Sequence, residues 1–170
     1  MIWILYGVLM KTIKGDIIKL AEQGEFDIII HGCNCFNSLG AGLARQLAVK
    51  YPQVEEADNK TKVGDYSKLG KSSKAEIVVG DHLFVVINVY TQYRWSHGVD
   101  VFEYAAFQGF LNNFTIALYA EKPIQKWKIG FPMIGAGLAC GDWSRISKMI
   151  ENFSERLTDF ADVTIVEYQP

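Results

Sequence analysis

Apolar residues gather in short continuous runs, of which DIII, LFVVINVY and VTIVEY are the clearest. Runs of this kind, rich in β-branched residues, fit strands covered on both faces. The pattern predicts strands over Met10–Lys14, Phe26–His31, Lys74–Val79, Leu83–Tyr90, Lys128–Met133 and Val163–Glu167. Between them it predicts helices over Asp16–Glu22, Ala41–Val49, a polar piece near Pro52–Thr61, Val101–Glu121 and Asp142–Leu157, the last with Asp142 as its cap. Strands alternating with helices give an α/β sandwich. The stretch Gln53–Lys74 is dense in charge and reads as a solvated surface segment. No internal repeat and no low-complexity linker divides the chain, so residues 1–170 are expected to form one domain.

Composition narrows the function classes. Hydrophobic residues make up 49% of the 170 and charged ones 21%, enough to bury a core. A net charge of −2 without long blocks of one sign speaks against a broad basic face for nucleic acid. Three cysteines, Cys33, Cys35 and Cys140, make no disulfide framework and favour a reducing, cytoplasmic setting. The apolar start, Met1–Leu9, is too short for a bilayer, which takes roughly 20 residues, and no membrane partner is expected. It also lacks the basic flank of a signal peptide. It reads as an extra edge strand or an upstream extension ahead of Met10.

Two glycine loops follow predicted strands. NSLGAGLARQL comes after FDIIIHGCNC, and GAGLACG, Gly135–Gly141, comes after KIGFPMI. Both contain G-A-G-L-A, each between a strand and a helix. Glycine lets a backbone approach a ligand, and a helix N-terminus offers free N–H groups and a positive dipole end. One such loop is equally a tight turn; a matching pair favours anion binding, of two phosphates or of a pyrophosphate with its sugar. GDYSKLGKS has five residues between its glycines where a phosphate-binding Walker loop has four, and no apolar strand precedes it. GAGLACG departs from G-x-G-x-x-G and leaves no room behind it for a dinucleotide-binding fold.

At these residues the chain resembles a macrodomain, the ADP-ribose-binding module, through four segments in order: IKGDII, IIIHGCNCFNSLGAGLARQL, VINVYTQ and GFPMIGAGLACGDW. The form HGCNC…GAGLA with IGAGLACGDW is most similar to the branch of ADP-ribose-1″-phosphate phosphatases and terminal ADP-ribose glycohydrolases. The resemblance implies a three-layer α/β/α sandwich with a mixed central sheet. It implies ADP-ribose or ADP-ribose 1″-phosphate as ligand, ADP-ribosylated macromolecules as a further class of partner, and no cofactor or metal. Residue by residue, it implies that Asp16 accepts from the adenine amino group with Ile17 assisting, and that Asn34 meets the distal ribose. Gly40, Ala41 and Gly42 would line the phosphates from one side, and Ile134, Gly135, Ala136, Gly137 and Leu138 from the other.

The departures bear on catalysis. A family branch with an Asp just after its first glycine run is not matched, since Ala44 and its neighbours stand there. The glycohydrolase branch has a Lys after the central strand and an Asp after G-x-G-L; here stand Gln92 and Tyr93, and Ala139. A covalent route through Lys is therefore not expected, and Asp142, His31 and Asn34 remain as catalytic candidates. Asp142 would orient or deprotonate water and His31 would act as acid. Each has a plainer role: helix cap, core hydrogen bond, and Asx-turn respectively. His31, Cys33, Cys35 and Cys140 also form a conceivable zinc set, against which the C-x-C spacing speaks. His82 is expected in a solvent-facing turn, and Tyr93, Arg94, Trp95 and His97 on a loop able to overhang the distal ribose. The expected activity is hydrolysis of ADP-ribose 1″-phosphate. The alternatives are a reader without turnover, a de-ADP-ribosylating hydrolase without the Lys mechanism, or another nucleotide-phosphate enzyme on a similar sandwich.

Overall fold

Alternation within the strands feeds two separate cores, one on each face of a sheet. The computed structural model describes residues 10–170; the expectations for Met1–Leu9 lie outside them. Six strands, β1 (Lys11–Gly15), β2 (Ile28–Asn34), β3 (Ser72–Val79), β4 (His82–Gln92), β5 (Trp127–Pro132) and β6 (Ala161–Tyr168), form one sheet in the order β1-β6-β5-β2-β4-β3. All neighbours pair parallel except β3, which runs antiparallel to β4. The sheet is mixed, as expected.

Helices cover both faces. Helices α1 (Ile17–Glu22), α2 (Gly42–Lys50) and α3 (Pro52–Asn59) pack on one side, where Ile17, Ala21, Leu47 and Val54 meet Ile29, Cys33 and Val86. Helices α4 (Tyr104–Glu121) and α5 (Trp143–Glu155) pack on the other, where Phe107, Leu111, Ile146 and Phe153 meet Ile28, Ile30 and Val89. In β2, Ile28 and Ile30 enter one core and Ile29 and Cys33 the other, so its continuous apolar run serves both faces.

Most of the stretch from Gln53 to Lys74 is exposed, as its charge pattern predicts, with three exceptions. Val54, Asp58 and Lys68 are buried. Tyr90 Oη donates to Asp58 Oδ1 at 2.8 Å, and Lys68 Nζ donates to Cys35 O at 3.1 Å and lies 4.3 Å from the centre of the Tyr90 ring. Two of the charges, Asp58 and Lys68, are spent on a buried network, which charge counting along a sequence does not reveal. His82 likewise begins β4 instead of facing solvent in a turn; its Nε2 lies 2.9 Å from Phe26 O and its ring stacks on Phe84.

The Tyr90 hydroxyl is the donor for a carboxylate whose other oxygen, Oδ2, has no partner among the described residues. Tyr90→Phe should therefore cost about 1–3 kcal/mol, the penalty for leaving a buried acceptor unmet. Urea unfolding checks this: the midpoint should fall with the slope unchanged.

Candidate functional site

Strands β1, β6, β5 and β2 are adjacent and parallel, so their C-terminal ends come out along one edge of the sheet. Ligand sites in open α/β sheets lie at such ends. A cleft opens there in two adjoining lobes that share Gly42, Leu43, Pro132, Met133 and Gly137. The outer lobe, about 580 Å³, is completed by Gly15 and Ile17 from the β1–α1 turn, Gln46 of α2, Ala136, and Val166–Tyr168 of β6. The inner lobe, about 240 Å³, is completed by residues of β2, the β4 end and the second glycine loop, among them Gly32, Ala41, Thr91, Gln92, Ile134 and Leu138.

The two glycine loops meet across this cleft. The first enters α2 with Ala41 at the N-cap, which has no side chain to close the free amides of the first turn. Gly42, at φ +56, takes the left-handed backbone that turns the chain into the helix, and its Cα faces Leu138 of the second loop. In the second loop the glycines divide by role. A Cβ on Gly135 would lie 2.4 Å from Phe102, and one on Gly141 2.9 Å from Gly135 O, so both serve the packing of the loop on itself. A Cβ on Gly137 would meet nothing within 4 Å: this glycine borders open cleft.

Of the expected binding residues, Ile17 and Ala136 line the outer lobe, and Ala41, Ile134, Gly135 and Leu138 the inner one; Gly42 and Gly137 line both. Gly40 is one step outside the lining. Asp16 is also outside it, between Gly15 and Ile17, and its Oδ1 caps α1 by accepting from Ile18 N at 2.9 Å and Lys19 N at 3.3 Å.

Of the expected catalytic residues, only His31 lines the cleft. Asp142 caps α5, its Oδ1 accepting from Arg145 N at 3.3 Å, and it lines neither lobe. The reason is the closure of the second loop, where Gly141 N donates to Gly135 O at 2.8 Å and turns the chain into α5. Asn34 forms the Asx-turn: its Oδ1 accepts from Phe36 N and its Nδ2 donates to Ser38 O, both at 2.9 Å. Its amide shapes the loop instead of reaching toward a ribose. His31 sits at the floor of the inner lobe, but its Nε2 lies 2.6 Å from the Oδ1 of fully buried Asn88. Burial lowers its pKa to about 4, partly offset by that hydrogen bond, so the ring is neutral at physiological pH. A proton-donating His31 does not fit this placement.

Behind the first loop, Lys68 Nζ also donates to Asn37 Oδ1, and Asn37 Nδ2 donates to Asp58 O and Thr61 O, both at 2.9 Å. Beyond the inner lobe, Phe36 packs against Tyr93 and Trp95, with the Arg94 guanidinium 4.9 Å from its centre. The loop carrying these residues is tied to the second glycine loop, Val101 N donating to Ala139 O at 3.0 Å. Sequence reasoning missed Lys68, Asn37 and Thr91; a lysine in a charged stretch and an Asn beside the more conspicuous Asn34 gave no signal. Among the described residues no three His, Cys, Asp or Glu side chains gather in a metal-binding group, and no helix is long and apolar enough to cross a membrane.

No family model matches the chain. An uncharacterized 17.5 kDa protein from the tk-vs intergenic region of Enterobacteria phage T4 is 36% identical over 166 residues, spanning 96% of this chain and 99% of that one. An ADP-ribose 1″-phosphate phosphatase of Saccharomyces cerevisiae is 25% identical over 189 aligned positions, spanning 92% of this chain and 96% of that one. Among solved structures, the macrodomain of Mycobacterium tuberculosis DarG superposes with a TM-score of 0.67 at 20% identity, covering 95% of this chain and 98% of that one. Thermosipho africanus DarTG in complex with ADP-ribose superposes with a TM-score of 0.71 at 17% identity, covering 92% of this chain and 40% of that one.

The buried imidazole makes a pH prediction. With a folded pKa near 4 against an ordinary 6.5, the unfolded chain takes up the proton first as pH falls. The His31 contribution is thus fully present above pH 6.5 and is lost as pH drops toward 4, by up to roughly 3 kcal/mol. Chemical denaturation across that window should show His31→Gln with a flatter acid limb than the wild type; parallel curves would remove His31 as the cause.

Proposed function

The chain is a macrodomain that resembles the ADP-ribose 1″-phosphate phosphatases, and we propose that it binds ADP-ribose in the two-lobed cleft and hydrolyses ADP-ribose 1″-phosphate. The observation that carries the reading is the uncapped N-terminus of α2 facing the second glycine loop across one continuous cleft. Backbone N–H groups and the positive helix end would meet the diphosphate from both sides. The adenosine would occupy the outer lobe, beside Ile17 and the β1–α1 turn, and the distal ribose the inner lobe. Asn34 would act as a positioning residue, holding the loop on which Ala41 and Gly42 are presented.

In turnover, a water oxygen would bond to phosphorus, the bond from phosphorus to the anomeric oxygen would break, and that oxygen would take a proton, giving ADP-ribose and phosphate. Stabilisation of the phosphoryl charge would come from main-chain donors. A second reading, an ADP-ribose reader without turnover, is favoured by one observation. The inner lobe has a single ionisable lining side chain among the described residues, His31, and its ring is committed to Asn88.

Calorimetric titration followed by a phosphate-release assay on the same sample tests both. ADP-ribose should bind more tightly than AMP, since only the whole ligand spans both lobes; equal affinities would overturn the two-lobe assignment. Gly137→Val, which puts a branched side chain into open cleft, should abolish ADP-ribose binding while unfolding stays cooperative. If ADP-ribose binds but its 1″-phosphate releases no phosphate, the reader is the correct reading.

Asp142→Ala should lose about 1 kcal/mol of stability with the helix cap and leave phosphate release unchanged. A melting curve and the same assay decide this, and a large drop in turnover would put the Asp142 carboxylate in the reaction after all.

A further inference from the structure

We infer that the Thr91 hydroxyl is a hydrogen-bonding contact for the distal sugar of the ligand and gives the cleft its preference for ADP-ribose over ADP. The inference rests on the ligand orientation proposed above. Thr91 is the penultimate residue of β4 and is 1% exposed, and its Oγ1 has no hydrogen-bond partner among the described residues. Buried hydroxyls are nearly always paired, because an unpaired one forfeits its hydration without return. A valine would fill the same strand position without that penalty, so packing does not account for the oxygen.

The neighbouring strand comes close to it. Gly32 of β2 has no left-handed backbone to justify a glycine. A Cβ there would lie 2.7 Å from Thr91 Oγ1 and 3.3 Å from Ile134 Cγ1. Glycine at position 32 is therefore what lets β2 lie against the Thr91 hydroxyl and Ile134, and both Gly32 and Thr91 line the inner lobe. The other polar groups there are already engaged: the His31 ring with Asn88, and Gln92 Nε2 with Arg94 O at 2.9 Å. Charge sorts the ligand in the same sense. The diphosphate suits the amides at the mouth of α2, whereas an uncharged hydroxyl, able both to donate and to accept, suits the equally uncharged hydroxyls of a sugar. ADP carries the diphosphate but no distal sugar, so it would not reach Thr91.

Calorimetry of wild type, Thr91→Val and Thr91→Ser with ADP-ribose and with ADP tests this. Thr91→Val should bind ADP-ribose about tenfold more weakly, the loss of one hydrogen bond of ordinary strength, with ADP affinity unchanged and a melting temperature no lower than wild type. Thr91→Ser should keep the preference. Gly32→Ala, whose Cβ would press on the Thr91 hydroxyl, should show the same selective loss and serves if Thr91→Val does not fold. Wild-type affinity for ADP-ribose in Thr91→Val or Gly32→Ala, or equal losses for ADP and ADP-ribose, overturns the inference alone. A wild type that does not bind ADP-ribose overturns the proposed function and this inference together.

Discussion

A buried ammonium holds the cleft in shape. Lys68 is 5% exposed, and a charge so placed is tolerated only when its surroundings replace water. Its Nζ is met by Cys35 O, Asn37 Oδ1 and the face of Tyr90, and its charge favours the ionised form of Asp58 against the burial that raises the Asp58 pKa. Asn37, at φ +53, is gripped at both ends of its amide, by Lys68 and by the carbonyls of Asp58 and Thr61. Residues 35–37 are thereby clamped to α3 and to the segment before β3. Gly42, which lines the cleft, follows five residues later, so its position is inherited from this clamp.

The second loop is fixed by different means. Phe102 fills the space against Gly135, Gly141 bonds back across the loop, and Val101 ties it to the connection leaving β4. One wall is held by a polar network and the other by packing and by hydrogen bonds within its own turn. Both walls are organised before anything binds, which spares the ordering cost of a mobile loop.

All six strands and five helices were legible in the residue pattern, with boundaries displaced by a few residues. The shifts reach three residues, at the end of β2 and at α4, which begins at Tyr104 where helix was expected from Val101 because Glu103 takes a non-helical backbone and its N donates to Thr91 O. The glycine pair was legible too, because the demand for backbone approach is written in the residue type itself. The roles of individual polar residues were not. Asp142, Asn34 and His31 are the right residue types for catalysis, yet each spends its polar atoms on a cap, a turn or a core contact that only three-dimensional pairing discloses. Lys68 was hidden for the opposite reason: in sequence it stands among charges and a solvated role costs nothing to imagine. Thr91 left no mark at all, since threonine near the end of a strand is ordinary.

The predominance of main-chain donors along the cleft changes how such a site looks to genetics. If the amides of Ala41, Gly42 and Leu138 bind the diphosphate as proposed, they survive most side-chain replacements, so an alanine scan would pass over them and register their distant supports instead. Residues such as Lys68 and Asn37 would then score as functional though they line neither lobe of the cleft.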